Sequence, residues 1–435
     1  MLTNGSRVMT AAALMCAPAL AVPASVADVN AGSGWSPRTV LSAPGGWPAD
    51  VVVAGNGTMS AAWARAGRVE FARRGPAAAW TTPSVVVRRG GSPRLEVDRR
   101  GTLYLTWTVQ GRVWKLEEKH SLPGGAWSPA IIVMRHRGHA VLADYDVAAS
   151  GAALVAVHTG TGVVVKRRSP DGAWSPPTRW RRVVDVDVEL GGHGLAAAVL
   201  TTFVPNAGHP DVGTRVVEVT RQRFGGSWSR PVVLQRDRDQ GMDPSWPGPA
   251  GITVDTAGTA TVAWYGTVPK RPRQGVASSR AALGAGWSPP RLVITRMGSE
   301  HRIDVMAAGD RSVLVVAVRS YSTVLAALRP ARASWHHATT VAPQGRFISG
   351  WDAARDPAGG AVVAWTRCQG EGICDGVWAR VMSPQGTWEA QARLGGPQVP
   401  DGESTWAAMR HGDALVVWSR WDAKTGHASL LARTH

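Results

Sequence analysis

Apolar residues recur along this chain in short runs separated by Gly-bearing turns, and the runs come in pairs. Val97-Asp98-Arg99-Arg100-Gly101-Thr102-Leu103-Tyr104-Leu105-Thr106-Trp107 shows the pattern: a strand-like run, a turn, then a second run ending in Trp. Val254 to Trp264 and Asp356 to Trp365 repeat it. Gly precedes Trp by six positions in these three copies, and also in Gly57/Trp63 and Gly412/Trp418. Weaker copies end in Val157, Val199 and Val318. The turns need a residue that tolerates positive φ, and the runs are short and β-branched, as buried strands are. A third strand follows, as in Arg68 to Ala72 or Gly162 to Lys166.

A second signal lies between these pairs: a turn, then Trp, then Ser or Thr, then Pro. It occurs at Trp35, Trp80, Trp127, Trp174, Trp228 and Trp287, with copies lacking Pro at Trp335 and Trp388. Pro is tolerated at a strand start or on an outer edge, so this is a fourth strand. Each unit is then a four-stranded antiparallel meander of about fifty residues, the blade of a β-propeller. The fold class is all-β with eight blades expected; seven is the alternative, because the copy around Trp335 is degenerate. The first recognisable strand, 35–41, is of the fourth type, and the segment from Thr405 to Arg433 supplies three strands and stops. The N-terminal strand is therefore expected to complete the last blade by pairing with 427–433, which removes exposed sheet edges. Trp63, Trp107, Trp264, Trp365 and Trp418 are assigned to packing between blades.

Composition adds a leader. Arg7 followed by an apolar stretch from Val8 to Val22, with small residues before a cut after Ala24 or Ala27, reads as an export signal over residues 1–27. Residues 28–435 are then one propeller domain, secreted or held at the cell envelope, with no later transmembrane segment and monomeric. Cys16 leaves with the leader, so Cys368 and Cys374 are expected to form a local disulfide. The formal charge is +17, with 43 Arg against 5 Lys. That charge makes an anionic polymer a candidate partner. The Arg are scattered and the Trp are committed to packing, so nucleic acid is not expected.

Turns between first and second strands, and between third and fourth, are short. The connections on the opposite face are long: Met134 to Ala143, Thr201 to Thr214, Gln235 to Gly251, Tyr265 to Gly275, Pro343 to Gly350, Thr366 to Gly376 and Ser419 to His427. Function concentrates on irregular segments held by a rigid scaffold, so that face is expected to carry any site. First strands begin there with Asp144, Asp146, Asp185, Asp187, Arg302 and Asp304, then Trp351, Asp352 and Trp406. Second strands end there near His158, Tyr265, Arg319, Arg367, Arg420 and Trp421. Carboxylates near Arg and Trp suit a sugar-binding surface. No cofactor is called for. Asp237, Asp239 and Asp243 have some of the spacing of a calcium loop but lack its bidentate Glu.

Ser169-Pro170-Asp171-Gly172-Ala173-Trp174 resembles the Asp-box, the turn between third and fourth strands of sialidase-like propellers, and Ser383 to Trp388 is a weaker echo. The resemblance is to a fold and covers the repeat turns alone. A sialidase would imply six blades, an arginine triad and a Tyr–Glu nucleophile pair; Arg302-Ile303-Asp304 lacks the Pro of the Arg-Ile-Pro motif, and no catalytic residue carries over. The blades also resemble those of propeller lectins. The functional expectation is an exported propeller that binds a glycan or protein partner on its loop-rich face, with no catalysis evident. The alternative is a sialidase-like glycoside hydrolase or lyase acting on extracellular or envelope glycans.

Overall fold

The computed structural model describes residues 34–435 apart from 192–193, 207–208, 238–249, 269–270, 298–301, 344, 346, 370–373, 397–404 and 423–426. The leader, with Cys16, lies outside the described residues. The described strands form eight four-stranded antiparallel sheets arranged as an eight-bladed β-propeller. Blades 1 to 7 take residues 46–87, 91–137, 140–181, 183–237, 250–295, 303–342 and 347–393 in turn. Blade 8 takes 405–434 and borrows its outermost strand, Thr39–Val40, from the N-terminus. Blade 6, whose sequence copy is degenerate, has all four strands, which rules out seven blades.

The Trp-Ser-Pro signal has a hydrogen-bonding cause. The Ser or Thr after Trp donates its N–H to a third-strand carbonyl and accepts, on its hydroxyl, the N–H of that same third-strand residue. Ser128 does this with His120, Ser175 with Arg167, Ser229 with Arg221, Ser288 with Arg280 and Thr81 with Arg73. The degenerate copies keep one half of the clamp: the N–H groups of His336 and Glu389 bond the carbonyls of Leu328 and Val381. The Pro that follows has no N–H, so the ladder breaks there and the outer strand resumes beyond it.

The second-strand Trp residues are fully buried between neighbouring blades. Trp63 packs between blades 8 and 1, Trp107 between 1 and 2, Trp264 between 4 and 5, Trp365 between 6 and 7 and Trp418 between 7 and 8. Truncating one to Ala would cost about 3–5 kcal/mol. Where a blade lacks this Trp the interface is filled otherwise. Val157 faces blade 2, and Trp114 from the third strand of blade 2 meets it. In blades 4 and 6 the residues that face the preceding blade are Leu200 and Ala317. Val199 and Val318, which sequence periodicity singled out, face the following blade instead. A strand's side chains alternate faces, so a register error of one residue reverses the face.

The Asp of the Asp-x-x-Gly turns is structural. Asp98 Oδ1 accepts the N–H groups of Arg100 and Thr102, and Asp255 Oδ1 those of Ala257 and Thr259. Several of the long connections on the other face are not irregular. In blade 4, Ala196–Asn206 and His209–Gln222 form one extended hairpin. Blade 5 does the same with Ala260–Val268 and Arg271–Ala281. Between blades 2 and 3, strand Ile131–Arg137 is separated from Ala140–Val147 by Gly138 and His139 alone. Backbone groups leaving the sheet stay paired by continuing the ladder. Cys368 and Cys374 are joined in a disulfide across one such hairpin in blade 7.

Candidate functional site

The innermost strands run along the central axis, and alternate side chains point into it. In five blades the axial position can be read from pairing, because it faces the residue just before the buried Trp. Those positions are Asp50, Arg94, Gly251, Asp352 and Trp406. Asp144, Asp187 and Asp304 hold the matching positions of blades 3, 4 and 6.

These aspartates tie each blade to the next. Asp50 Oδ2 accepts the N–H of Leu95 at 2.8 Å, and Asp144 Oδ2 that of Val188 at 2.9 Å. Asp187 Oδ2 accepts from Ile252 at 2.7 Å and Asp352 Oδ2 from Ala407 at 2.8 Å. In every case the donor is the residue following the axial position of the next blade. A second rung, two residues along, repeats the device: Asp146 bonds the N–H of Leu190, and Thr253 Oγ1 that of Ala307. Asp50 and Asp144 also accept, on Oδ1, the N–H of the residue that follows each of them, Val51 at 2.9 Å and Tyr145 at 2.8 Å, so both oxygens of these carboxyls are fixed by backbone.

The loop-rich end of the channel opens into a cavity of about 820 Å³. Nine carboxyls line it: Asp50, Glu96, Asp144, Asp146, Asp185, Asp187, Glu189, Asp304 and Asp352. Arg94 and Arg302 are the cations among the described lining residues. Arg302 donates from Nε to Asp304 at 2.8 Å, from Nη2 to Asp352 at 2.6 Å and from Nη1 to the Trp351 carbonyl at 3.2 Å. Its guanidinium lies over the Trp351 ring at 5.1 Å, and its side chain is 50% exposed. Arg302 therefore crosses from blade 6 to blade 7 at the rim, with an indole beneath it.

So many carboxyls in one cavity do not all ionise. Burial pushes Asp50 up to about 6, against the pull of Arg94. Asp146 is pushed up to about 7, by burial first, with Asp144 adding repulsion. Asp304 is pushed to about 6 by burial, although Arg302 opposes it. Glu96, Asp187 and Glu189 are raised well above the usual carboxylate value, by burial first and then by the charge of neighbouring carboxylates, Asp144 among them in each case. For Asp187 the largest contribution after burial is the neighbouring Asp144 carboxyl.

Of the residues expected from the sequence, the cavity gathers Asp144, Asp146, Asp185, Asp187, Arg302, Asp304, Trp351, Asp352 and Trp406. The second-strand residues stand apart from it. His158 is half-buried beside Val141 and Val163, and burial lowers its pKa. The Tyr265 hydroxyl meets Gln274 at 2.8 Å, and Arg367 pairs with Asp375 at 3.0 Å over the Trp378 ring. Arg319 ends its strand in blade 6, and Arg420 pairs in register with Ser429 in blade 8. Trp421 belongs to the strand Asp413–Asp422; its side chain lies outside the described ones, as do Asp239 and Asp243. Asp237 is bound to Arg215 at 2.5 Å and to Gln235. Among the described residues, no group of three or more His, Cys, Asp or Glu is placed to hold a metal ion.

Sequence reasoning missed Asp50, Arg94, Glu96 and Glu189. Their signal was the offset from the second-strand Trp, which marks Asp50 and Arg94 as axial once the pairing is drawn.

No protein-family model and no curated protein sequence matches the chain. Solved structures do. The BP39L lectin from Burkholderia pseudomallei aligns with a TM-score of 0.53 at 12% identity, over 80% of this chain and 98% of the lectin. A polysaccharide lyase, an ulvan lyase bound to a GlcA–Rha3S repeat, aligns at 0.49 and 11% identity, over 91% and 95%. Virginiamycin B lyase from Staphylococcus aureus aligns at 0.42 and 10% identity, over 76% and 96%. The lectin has a propeller architecture like that of this chain, and at these identities the likeness is one of fold alone.

Proposed function

We propose that this chain is an exported propeller that binds a glycan in the carboxylate-lined cavity of its loop-rich face. The carrying observation is the cavity itself: nine carboxyls, of which Asp50, Asp144, Asp146, Asp185, Asp187 and Asp352 are held by backbone N–H groups, with Arg302 over Trp351 at the rim. Fixed acceptors, a forked donor and an indole face are the means by which proteins hold sugar hydroxyls and the apolar face of a pyranose. The surplus of carboxyls disfavours a uronate or sulfate there and favours a neutral or amine-bearing sugar. The disulfide at Cys368–Cys374 and the leader-like N-terminus support an oxidising destination. No helix among the described residues is long and apolar enough to cross a membrane.

The test is a glycan array with the purified mature protein. Retention of neutral or amino sugars, lost in Trp351→Ala and Arg302→Ala, is the expected result. Exclusive retention of anionic glycans, or binding that survives both substitutions, overturns the reading.

One observation favours glycoside hydrolysis as a second reading. Asp146, pushed up to about 7, stands in the same cavity as Asp352, which Arg302 pairs at 2.6 Å; a raised carboxyl beside an ion-paired one is the division of labour between a general acid and its partner. Incubating each array ligand with the protein and measuring reducing ends decides it: release abolished by Asp146→Asn supports hydrolysis, and no release eliminates it.

A further inference from the structure

The opposite end of the same channel carries the opposite charge. There the turns between first and second strands converge, and seven blades contribute to a second cavity of about 740 Å³. Arg99 and Arg100 enter it from blade 2, and Arg410 and His411 from blade 8. Asp255 is the single carboxylate among the described lining residues, and its Oδ1 is already occupied by two N–H groups of its own turn.

The turns that carry these cations are held rigidly. The N–H of Gly412, next to His411, donates to Asp356 Oδ2 of blade 7 at 2.7 Å. Asp356 is itself buried and caps its own turn through Ala358. The N–H of Arg99 bonds the Ala149 carbonyl of blade 3 at 3.3 Å. Across the cavity, Gly309 donates to the Pro357 carbonyl at 2.7 Å. Arg410 lies against the blade 1 turn, with its Nε 3.5 Å from where a side chain on Gly55 would begin. That Nε is buried and has no acceptor among the described residues. No hydrogen bond commits the Arg410 guanidinium to another group among the described residues, which leaves its fork for an oxyanion in the cavity.

We propose that this tight-turn mouth is an oxyanion-binding site, distinct from the carboxylate-lined cavity, that takes a carboxylate, sulfate or phosphate group through the guanidinium forks of Arg410, Arg99 and Arg100. The class of ligand follows from the donors. Guanidinium groups match planar and tetrahedral oxyanions bidentately, and turn backbones locked to neighbouring blades present them without reorganisation. This gives the chain's excess of Arg one specific use, while the two ends of the channel sort ligands by charge.

The test is titration calorimetry on the mature chain with sodium sulfate, inorganic phosphate and a uronate-terminated disaccharide as probes, at fixed ionic strength. Saturable binding of at least one probe is expected, weakened at least tenfold by Arg410→Gln and by the double variant Arg99→Gln/Arg100→Gln. Arg99 and Arg100 are exposed on a turn, so the double variant keeps the proposal falsifiable should Arg410→Gln fail to fold. Preference for the disaccharide would identify a sugar acid, and preference for sulfate or phosphate an esterified ligand. Two results overturn the site: no saturable binding of any probe, or an equal loss in Arg181→Gln, an exposed Arg of blade 3, which would show general charge attraction.

Discussion

Ser36 and Thr434 are 398 residues apart and close the ring. Ser36 donates its N–H to the Thr434 carbonyl at 2.7 Å and accepts the Thr434 N–H on Oγ at 3.0 Å. This is the same clamp that starts the outer strand of the complete repeats, made here between the two ends of the chain. Thr39 and Val40 then pair with Ala432 and Leu431. Removing the Ser36 hydroxyl deprives one N–H of its acceptor, so Ser36→Ala should cost about 1 kcal/mol. Deleting 34–41 should cost far more and promote aggregation, because it bares the edge of blade 8. Urea denaturation and light scattering of the two variants measure both.

Asp356 serves two turns at once, its own through Ala358 and that of blade 8 through Gly412. Asp356→Ala would strand these N–H groups in a buried setting. A loss of about 2–3 kcal/mol is expected, larger than for an isolated turn. Equal destabilisation by Asp310→Ala, whose Oδ1 serves Ser312 alone, would contradict the inter-blade role.

The raised carboxyls make stability depend on pH with a definite sign. Asp146, Asp50 and Asp304 have folded-state values of about 7, 6 and 6 against 3.8 when exposed. The folded state therefore binds more protons between about pH 4 and 7, and stability falls as pH rises through that window. The melting temperature should be higher at pH 5 than at pH 8. Asp146→Asn keeps an acceptor for Leu190 and should raise stability at pH 8 by about 1 kcal/mol, with a shallower pH slope. A melting temperature that climbs from pH 5 to pH 8 would contradict this ordering.

Asp352 couples the rim to the frame, since Oδ1 takes Arg302 and Oδ2 takes the N–H of Ala407. Asp352→Asn keeps one acceptor and loses the charge. The proposed glycan affinity should drop about tenfold, with stability reduced by about 1 kcal/mol or less. Affinity and thermal stability measured on the same preparation separate this from general unfolding.

The disulfide encloses few residues in the chain, so its entropic effect is bounded at about 2 kcal/mol. Reduction should lower the melting temperature modestly and leave the fold intact. Complete unfolding on reduction, monitored by Trp fluorescence, would contradict the view that interblade packing carries the structure.

The blade count and the closure were legible in the sequence, because strand period, turn chemistry and the Trp-Ser-Pro clamp are local and repeated eight times. The rim residues on first strands were legible too, since they precede or follow apolar runs at a strand end. What the chain order could not decide was which residues meet around the axis. Asp50, Glu96 and Glu189 look like ordinary alternating positions of half-buried strands until eight blades bring them to one cavity. The facing of Val199 and Val318 likewise turned on a single residue of register. Irregularity was misjudged in part: the connections within blades 4 and 5 proved to be extended hairpins, because backbone pairing is satisfied by a neighbour whose position only the fold supplies. Sequence alone determined the repeat and therefore the architecture. Tertiary structure decided which charges meet, because an acidic mouth and a basic mouth on one channel are assembled from residues far apart in the chain, and pKa, pairing and burial all depend on that assembly.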